Sequence, residues 1–194
     1  MEYRIEKLKE YLNKSLIDHD DKILTQNTLK LAHIYCIINN ISSQKYGILI
    51  EKYILIKYNY KKNSPSKCNG DCVKNKKNFE IKTSLGGKFH NKFNYVQIRL
   101  THSITNYIFI AYHLSTKNVD NEGELYIFKL SSENVKKLIL LYGTYAHGTK
   151  KEYGNITELT LNDKNNIREY ALRPSYGDEC WNQFLKFRIL ENEL

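Results

Sequence analysis

Apolar and polar positions divide the chain into three stretches: helical spacing to about residue 58, strand-like alternation or apolar runs from 71 to 130, and helical spacing again beyond. Residues 2–16 set Ile5, Leu8, Leu12 and Leu16 on one helical face. Asp18-His19-Asp20-Asp21 breaks that pattern and offers an N-cap carboxylate to a second helix over 22–39, whose stripe is Leu24, Leu31, Ile34, Tyr35 and Ile38. Ser42-Ser43 opens a third helix reaching about Tyr58. Tyr46, Ile48, Leu49, Ile50, Tyr53, Ile54, Leu55 and Ile56 make it apolar on most sides, so it is expected in the middle of the fold.

The pattern then changes. A loop over 61–69 containing Pro65 leads into two short alternating segments around Asn75-Lys76-Lys77-Asn78, the sequence of a β-hairpin. Beyond a glycine-hinged loop over 85–94, Tyr95 to Leu100 alternates as a strand, and Tyr107 to Tyr112 is the continuous apolar run of a central strand buried on both faces. Glu124 to Leu130 gives another strand. Ser131-Ser132-Glu133 caps a helix to about Leu141 that packs through Val135, Leu138 and Ile139. Residues 142–153 read as a long loop, 162–170 as mostly irregular, and 178–190 as a final helix anchored by Trp181, Phe184, Leu185 and Phe187. Helices, mixed strands and helices in that order predict an α/β fold, a central mixed β-sheet flanked by helices with a helical N-terminal part. A single domain over 1–194 is expected, with a helical part over 1–60, a sheet over 70–130, and C-terminal helices and loops over 131–194.

Charge narrows the choice of partner. Thirty Lys and Arg against 21 Asp and Glu give a net charge of +9, which suits a polyanion whose condensed counterions are released on binding. No run of about 18 apolar residues exists, and Met1 to Glu6 lacks the apolar region of a signal peptide, so a cytoplasmic protein without a membrane partner is expected. Of the four cysteines, Cys68 and Cys72 have C-x3-C spacing without a second pair, which favours reduced, unligated thiols over a closed zinc site.

The hairpin carries the candidate chemistry. Alternation sends Glu80 and Lys82 to one side and Phe79 and Ile81 to the other, and a hairpin closing around 75–78 lets Asp71 face Glu80 and Lys82. Two carboxylates suit Mg²⁺, which takes few protein ligands, and a lysine there can orient or help deprotonate a water. The triplet alone also describes a solvated cross-strand salt bridge. Its context, after a helix bearing the single acidic residue Glu51 and before a buried strand, is what favours a site.

In that context the chain resembles the PD-(D/E)xK nuclease superfamily, and within it a small type II restriction endonuclease. The resemblance rests on Asp71, Glu80-Ile81-Lys82, Glu51 and the block from Phe79 to Lys88, and spans residues 43–114. It implies a restriction-endonuclease-like α/β/α core in which Asp71, Glu80 and the Ile81 carbonyl bind Mg²⁺, Lys82 positions the attacking water, and Glu51 supports the metal through an outer water shell. It implies sequence-specific hydrolysis of double-stranded DNA to 5′-phosphate and 3′-hydroxyl ends, a homodimer matched to a palindromic duplex, and a cognate DNA methyltransferase as companion. Gly70 stands where the family has proline. Gln97 is followed four residues later by Thr101 rather than tyrosine, which disfavours the exonuclease branch.

Two loops supply candidate DNA contacts: Lys88, His90, Asn91 and Lys92 in the first, His147, Lys150 and Lys151 in the second. Lysine suits phosphate, whereas Gln97 and Arg99, expected on the same side of their strand, are candidates either to read base edges or to serve structure. The rival readings are a repair or junction-resolving nuclease of the same fold, a non-catalytic DNA-binding module, and a structural or interaction protein whose triplet is only a salt bridge.

Overall fold

The structure, a computed structural model, describes residues 6–10, 28–64, 68–89, 91–163 and 165–194. Residues 6–10 are helical and bury Leu8; the rest of the expected first helix, and the acidic run at 18–21, lie outside the described residues. The next helix, α1 (Leu29–Ile38), starts later than the expected 22, because Thr28 is extended and its side chain accepts a hydrogen bond from the Leu31 N–H.

Helix α2 (Ser43–Lys57) forms where the spacing places it, but it is not enclosed. Tyr46, Ile50, Tyr53 and Ile54 are buried, while Ile48 and Ile56 are 64% and 55% exposed. The helix lies against α1 and one face of a sheet, and Leu49 and Leu55 are partly buried against the same core.

That sheet has six strands in the order β1 (Lys61–Lys62), β2 (Cys72–Lys74), β3 (Lys77–Ser84), β5 (Asn106–His113), β6 (Glu124–Ser131) and β9 (Arg188–Ile189). It is mixed: β3 and β5 run parallel, and every other neighbouring pair is antiparallel. The hairpin turn is tighter than expected. Asn75 and Lys76 have φ of 51° and 62°, a two-residue turn whose twist matches the strands, and Lys77 and Asn78 already belong to β3.

The apolar run of β5 serves both faces. Ile108, Ile110 and Tyr112 join Phe79, Ile81 and the residues of α1 and α2 in one core. Tyr107, Phe109 and Ala111 join a second core with β6, with α3 (Ser132–Tyr142) and with α6 (Glu179–Leu185). Helix α3 is capped by Ser131 and buries Val135, Leu138 and Ile139, as its spacing predicts. Fully burying such side chains stabilises by about 1.5–3 kcal/mol each, which is what holds helices on both sides of the sheet.

The last third is more ordered than its polar sequence suggests. Strands β4 (Tyr95–Ile98), β8 (Tyr170–Leu172) and β7 (Thr144–Tyr145) make a second sheet in the order β4-β8-β7. The expected loop over 142–153 holds β7 and a short helix α4 (Lys150–Tyr153), closed by a capping box between Thr149 and Glu152. A further short helix, α5 (Glu158–Asn162), precedes the irregular stretch. Helix α6 stops at Leu185 rather than near 190, because Arg188 and Ile189 pair with β6 as β9. Trp181 and Phe184 fill the second core as expected, but Leu185 is exposed. No described helix is long and apolar enough to cross a membrane.

Candidate active site at the open edge of the sheet

Strand β2 covers only the first part of β3. Their register ends at Cys72 opposite Phe79, so from Glu80 to Ser84 strand β3 has β5 on one side and an open edge on the other. Gly70 makes the divergence. Its φ is +73°, a conformation proline cannot adopt, and a Cβ there would lie 2.6 Å from the Phe79 carbonyl and 3.2 Å from Glu80 Oε2. A glycine at this position therefore has a steric reason in this chain.

One residue later, Asp71 takes over the role of the missing strand. Its N–H donates to the Phe79 carbonyl at 2.9 Å, and its Oδ2 accepts from the Ile81 N–H at 2.7 Å. Glu80 and Lys82 project to the face of Tyr107 and Phe109, their register partners, and Glu80 Oε1 lies 2.7 Å from Lys82 Nζ. From the neighbouring helix Glu51 reaches the same edge, held at 3.3 Å by Lys62. Asp71, Glu80, Lys82 and Glu51 are thus brought together.

The electrostatics follow from that crowding. Burial, and then the neighbouring Glu80 charge, raise the Asp71 carboxyl from its ordinary 3.8 to about 6; the Ile81 N–H, Lys82 and Lys62 pull the other way without cancelling them. Glu51 is raised as well, first by burial and then by Asp71. Burial also pushes the adjacent Cys72 thiol up to about 12, so it stays protonated, while Cys68 is exposed. Of the two carboxylates on the strand edge, Glu80 is the one with a described ammonium at contact distance.

A cavity of about 260 Å³ opens onto this edge, lined among others by Glu51, Asp71, Ile81, Lys82, Asn94 and Gln97. On α2 its lining residues Gln44, Gly47, Ile48 and Glu51 recur at helical spacing, one stripe facing the site. Behind it, the Thr83 hydroxyl is hydrogen-bonded to the Tyr46 hydroxyl at 2.6 Å and lies 3.4 Å from His33 Nε2. His33 Nδ1 meets the Leu29 carbonyl at 2.7 Å, and burial lowers this imidazole to about 4. Sequence reasoning found neither this buried chain nor Lys62 and Asn94, because their partners are distant along the chain; only the stripe from Gln44 to Glu51 was legible as spacing.

The other candidate residues are placed unevenly. Arg99 does not share a strand face with Gln97: β4 ends at Ile98, and the Arg99 guanidinium is held by Glu169 through Nε at 2.7 Å and Nη2 at 2.6 Å. Glu169 also lies 3.5 Å from His147 Nε2. Gln97 is exposed and lines the cavity. Asn91 and Lys92 are exposed, with Lys92 bridged to Ser175. Lys150 and Lys151 are exposed on α4. His90 and the Lys88 side chain lie outside the described residues.

Two carboxylates are the donor set available to a cation here, for no group of three or more His, Cys, Asp and Glu placed to hold a metal ion occurs among the described residues. Asp71 and Glu80 are two hard oxygen donors close enough that the Glu80 charge helps to raise the Asp71 carboxyl, the Ile81 carbonyl lies in the same strand as Glu80, and Mg²⁺ needs no more than one or two carboxylates. No protein-family model, no curated protein and no solved structure matches this chain, so the assignment of the site rests on its geometry.

Proposed function

We propose that the protein is a Mg²⁺-dependent, sequence-specific endonuclease of double-stranded DNA, acting as a homodimer. The observation that supports this best is the convergence of Asp71 and Glu80 on an unpaired strand edge with Lys82 at 2.7 Å from Glu80, in a chain of net charge +9. A non-catalytic DNA-binding module gains nothing from acidic groups at that place, since they repel phosphate.

Asp71, Glu80 and the Ile81 carbonyl would hold the cation, with Glu51 behind them. When bound, Mg²⁺ supplies charge stabilisation to the phosphoryl oxygens and makes a water more acidic. The chain's own groups do the rest. Lys82, beside Glu80, holds the attacking water by hydrogen bonding and offers positive charge to the scissile phosphate. Water oxygen bonds to phosphorus, the bond from phosphorus to the 3′ oxygen breaks, and the water proton ends on that oxygen, leaving a 5′-phosphate and a 3′-hydroxyl. Glu80 must share its lysine with the water, which favours a lysine held by one carboxylate rather than two. Lysines of the two exposed loops, Lys92, Lys150 and Lys151, contact phosphates.

Incubating purified protein with phage DNA and Mg²⁺ tests the proposal. Discrete fragments ending in 5′-phosphate are expected. A smear would replace sequence specificity with non-specific cutting, and intact DNA bound in a gel shift would make the protein a binding module.

A further inference from the structure

The cavity at the sheet edge is bounded on one side by a backbone irregularity. Strand β4 pairs with β8 at Tyr95 opposite Leu172 and at Ile98 opposite Tyr170, so Val96 and Gln97 together stand against Ala171. That is a β-bulge, two residues facing one. At its second position Gln97 has φ +56°, the left-handed region. Glycine enters that region freely, whereas glutamine does so only against the steric resistance of its Cβ.

Gln97 has nothing in the core to hold it there: its side chain is exposed and lines the cavity shared with Asp71 and Lys82. Bulges re-aim side chains beside active sites, and a residue kept in a strained conformation is a pointer to a role. Two other carboxamides line the same cavity, Gln44 and Asn94. Asn94 Oδ1 accepts from Arg173 Nε at 3.0 Å, which leaves its NH₂ group as the donor it can offer. Arg99, the alternative candidate for base contact, has both its Nε and Nη2 engaged by Glu169.

A carboxamide recognises adenine bidentately, its oxygen accepting from N6 and its NH₂ donating to N7. Resting on the nuclease reading above, we infer that Gln97 is the specificity-determining residue of this site and reads an adenine in the nucleotide next to the scissile phosphate. The position follows from the shared cavity: a base within reach of Gln97 belongs to a nucleotide whose phosphate lies at, or one step from, the Asp71–Glu80 edge. Arg99 is then a structural ion pair with no part in recognition.

The test uses the full chain on a library of randomised DNA duplexes with Mg²⁺, sequencing the cut ends. Wild type is expected to leave ends with a fixed adenine beside the break. Gln97→Gly, which relieves the left-handed strain, should still cut and should melt no lower than wild type. It should lose preference for that adenine by roughly 5- to 150-fold, the 1–3 kcal/mol of a bidentate contact converted at 1.4 kcal/mol per tenfold. Gln97→Asn, a residue that tolerates the same φ, gives a second fold-preserving variant and should discriminate less than wild type. An unchanged adenine preference in both variants overturns the inference. Wild-type ends with no adenine beside the break also overturn it while leaving hydrolysis intact. No cutting at all removes the nuclease reading, and the assignment of Gln97 falls with it.

Discussion

Replacing Asp71 by asparagine should make the metal-free protein more stable at neutral and alkaline pH. Asp71 titrates at about 6 rather than 3.8 because burial and the Glu80 charge disfavour its ionised form. The folded state therefore binds this proton more readily than the unfolded chain does. Its contribution to stability is fully present below about pH 4 and is lost as pH rises through about 6. The distance from 3.8 to about 6, at 1.36 kcal/mol per pH unit, makes the ionised carboxylate a liability of about 3 kcal/mol at pH 8. Asparagine keeps the shape and an oxygen for the Ile81 N–H, but a neutral acceptor gives back about 1 kcal/mol of that hydrogen bond. The net gain is about 2 kcal/mol, or about 4–8 °C in melting temperature for a chain of this length. Thermal melts in EDTA at pH 8 and at pH 4, wild type against Asp71→Asn, measure it. The gain should be present at pH 8 and absent at pH 4. A variant that melts at or below wild type at pH 8, or gains equally at both, would show that the carboxylate is not held against its own repulsion.

Other outcomes follow from the same structure. Mg²⁺ added at pH 8 should raise the wild-type melting temperature and leave that of Asp71→Asn nearly unchanged; equal shifts would place the cation elsewhere. Asp71→Ala and Glu80→Ala should abolish cleavage while DNA affinity in a gel-shift titration stays similar or rises, and Lys82→Ala should be inactive too, so near wild-type cutting by any one of them removes that residue from the assigned role. Lys150→Ala with Lys151→Ala should weaken binding to all sequences alike and flatten the log–log salt dependence by about 0.9 for each phosphate no longer neutralised, whereas an unaltered slope would make α4 a mere connection. His33 is buried and lowered from 6.5 to about 4, so it favours folding when neutral; acidifying from pH 6.5 to 4 should cost about 3 kcal/mol through this residue, and His33→Gln, if it folds, should show a shallower acid loss in urea titrations.

What the sequence settled by itself was local or periodic. The α/β class, the core faces of α3 and α6, and the two-sided burial of β5 follow from the spacing of apolar residues, because burying each face of an element is decided by period alone. The juxtaposition of Asp71 with Glu80 and Lys82 was legible for a similar reason: a hairpin is short-range, and its alternation fixes which side chains meet across the turn. Spacing could not say where one element meets another. It marked α2 as apolar on most sides, yet how much of that helix is covered depends on what it lies against, and Ile48 and Ile56 remain exposed. It put Gln97 and Arg99 on one strand face, but Gln97 sits in a bulge against β8 and lines the cavity at the open edge of β3, and Glu169, seventy residues away, takes Arg99. Lys62 beside Glu51, and the chain of His33, Thr83 and Tyr46 behind the cavity, likewise join residues that only folding brings together. The open edge of β3 is itself a tertiary fact, for it exists because Gly70 leaves the ladder where β2 would otherwise have continued to cover Glu80.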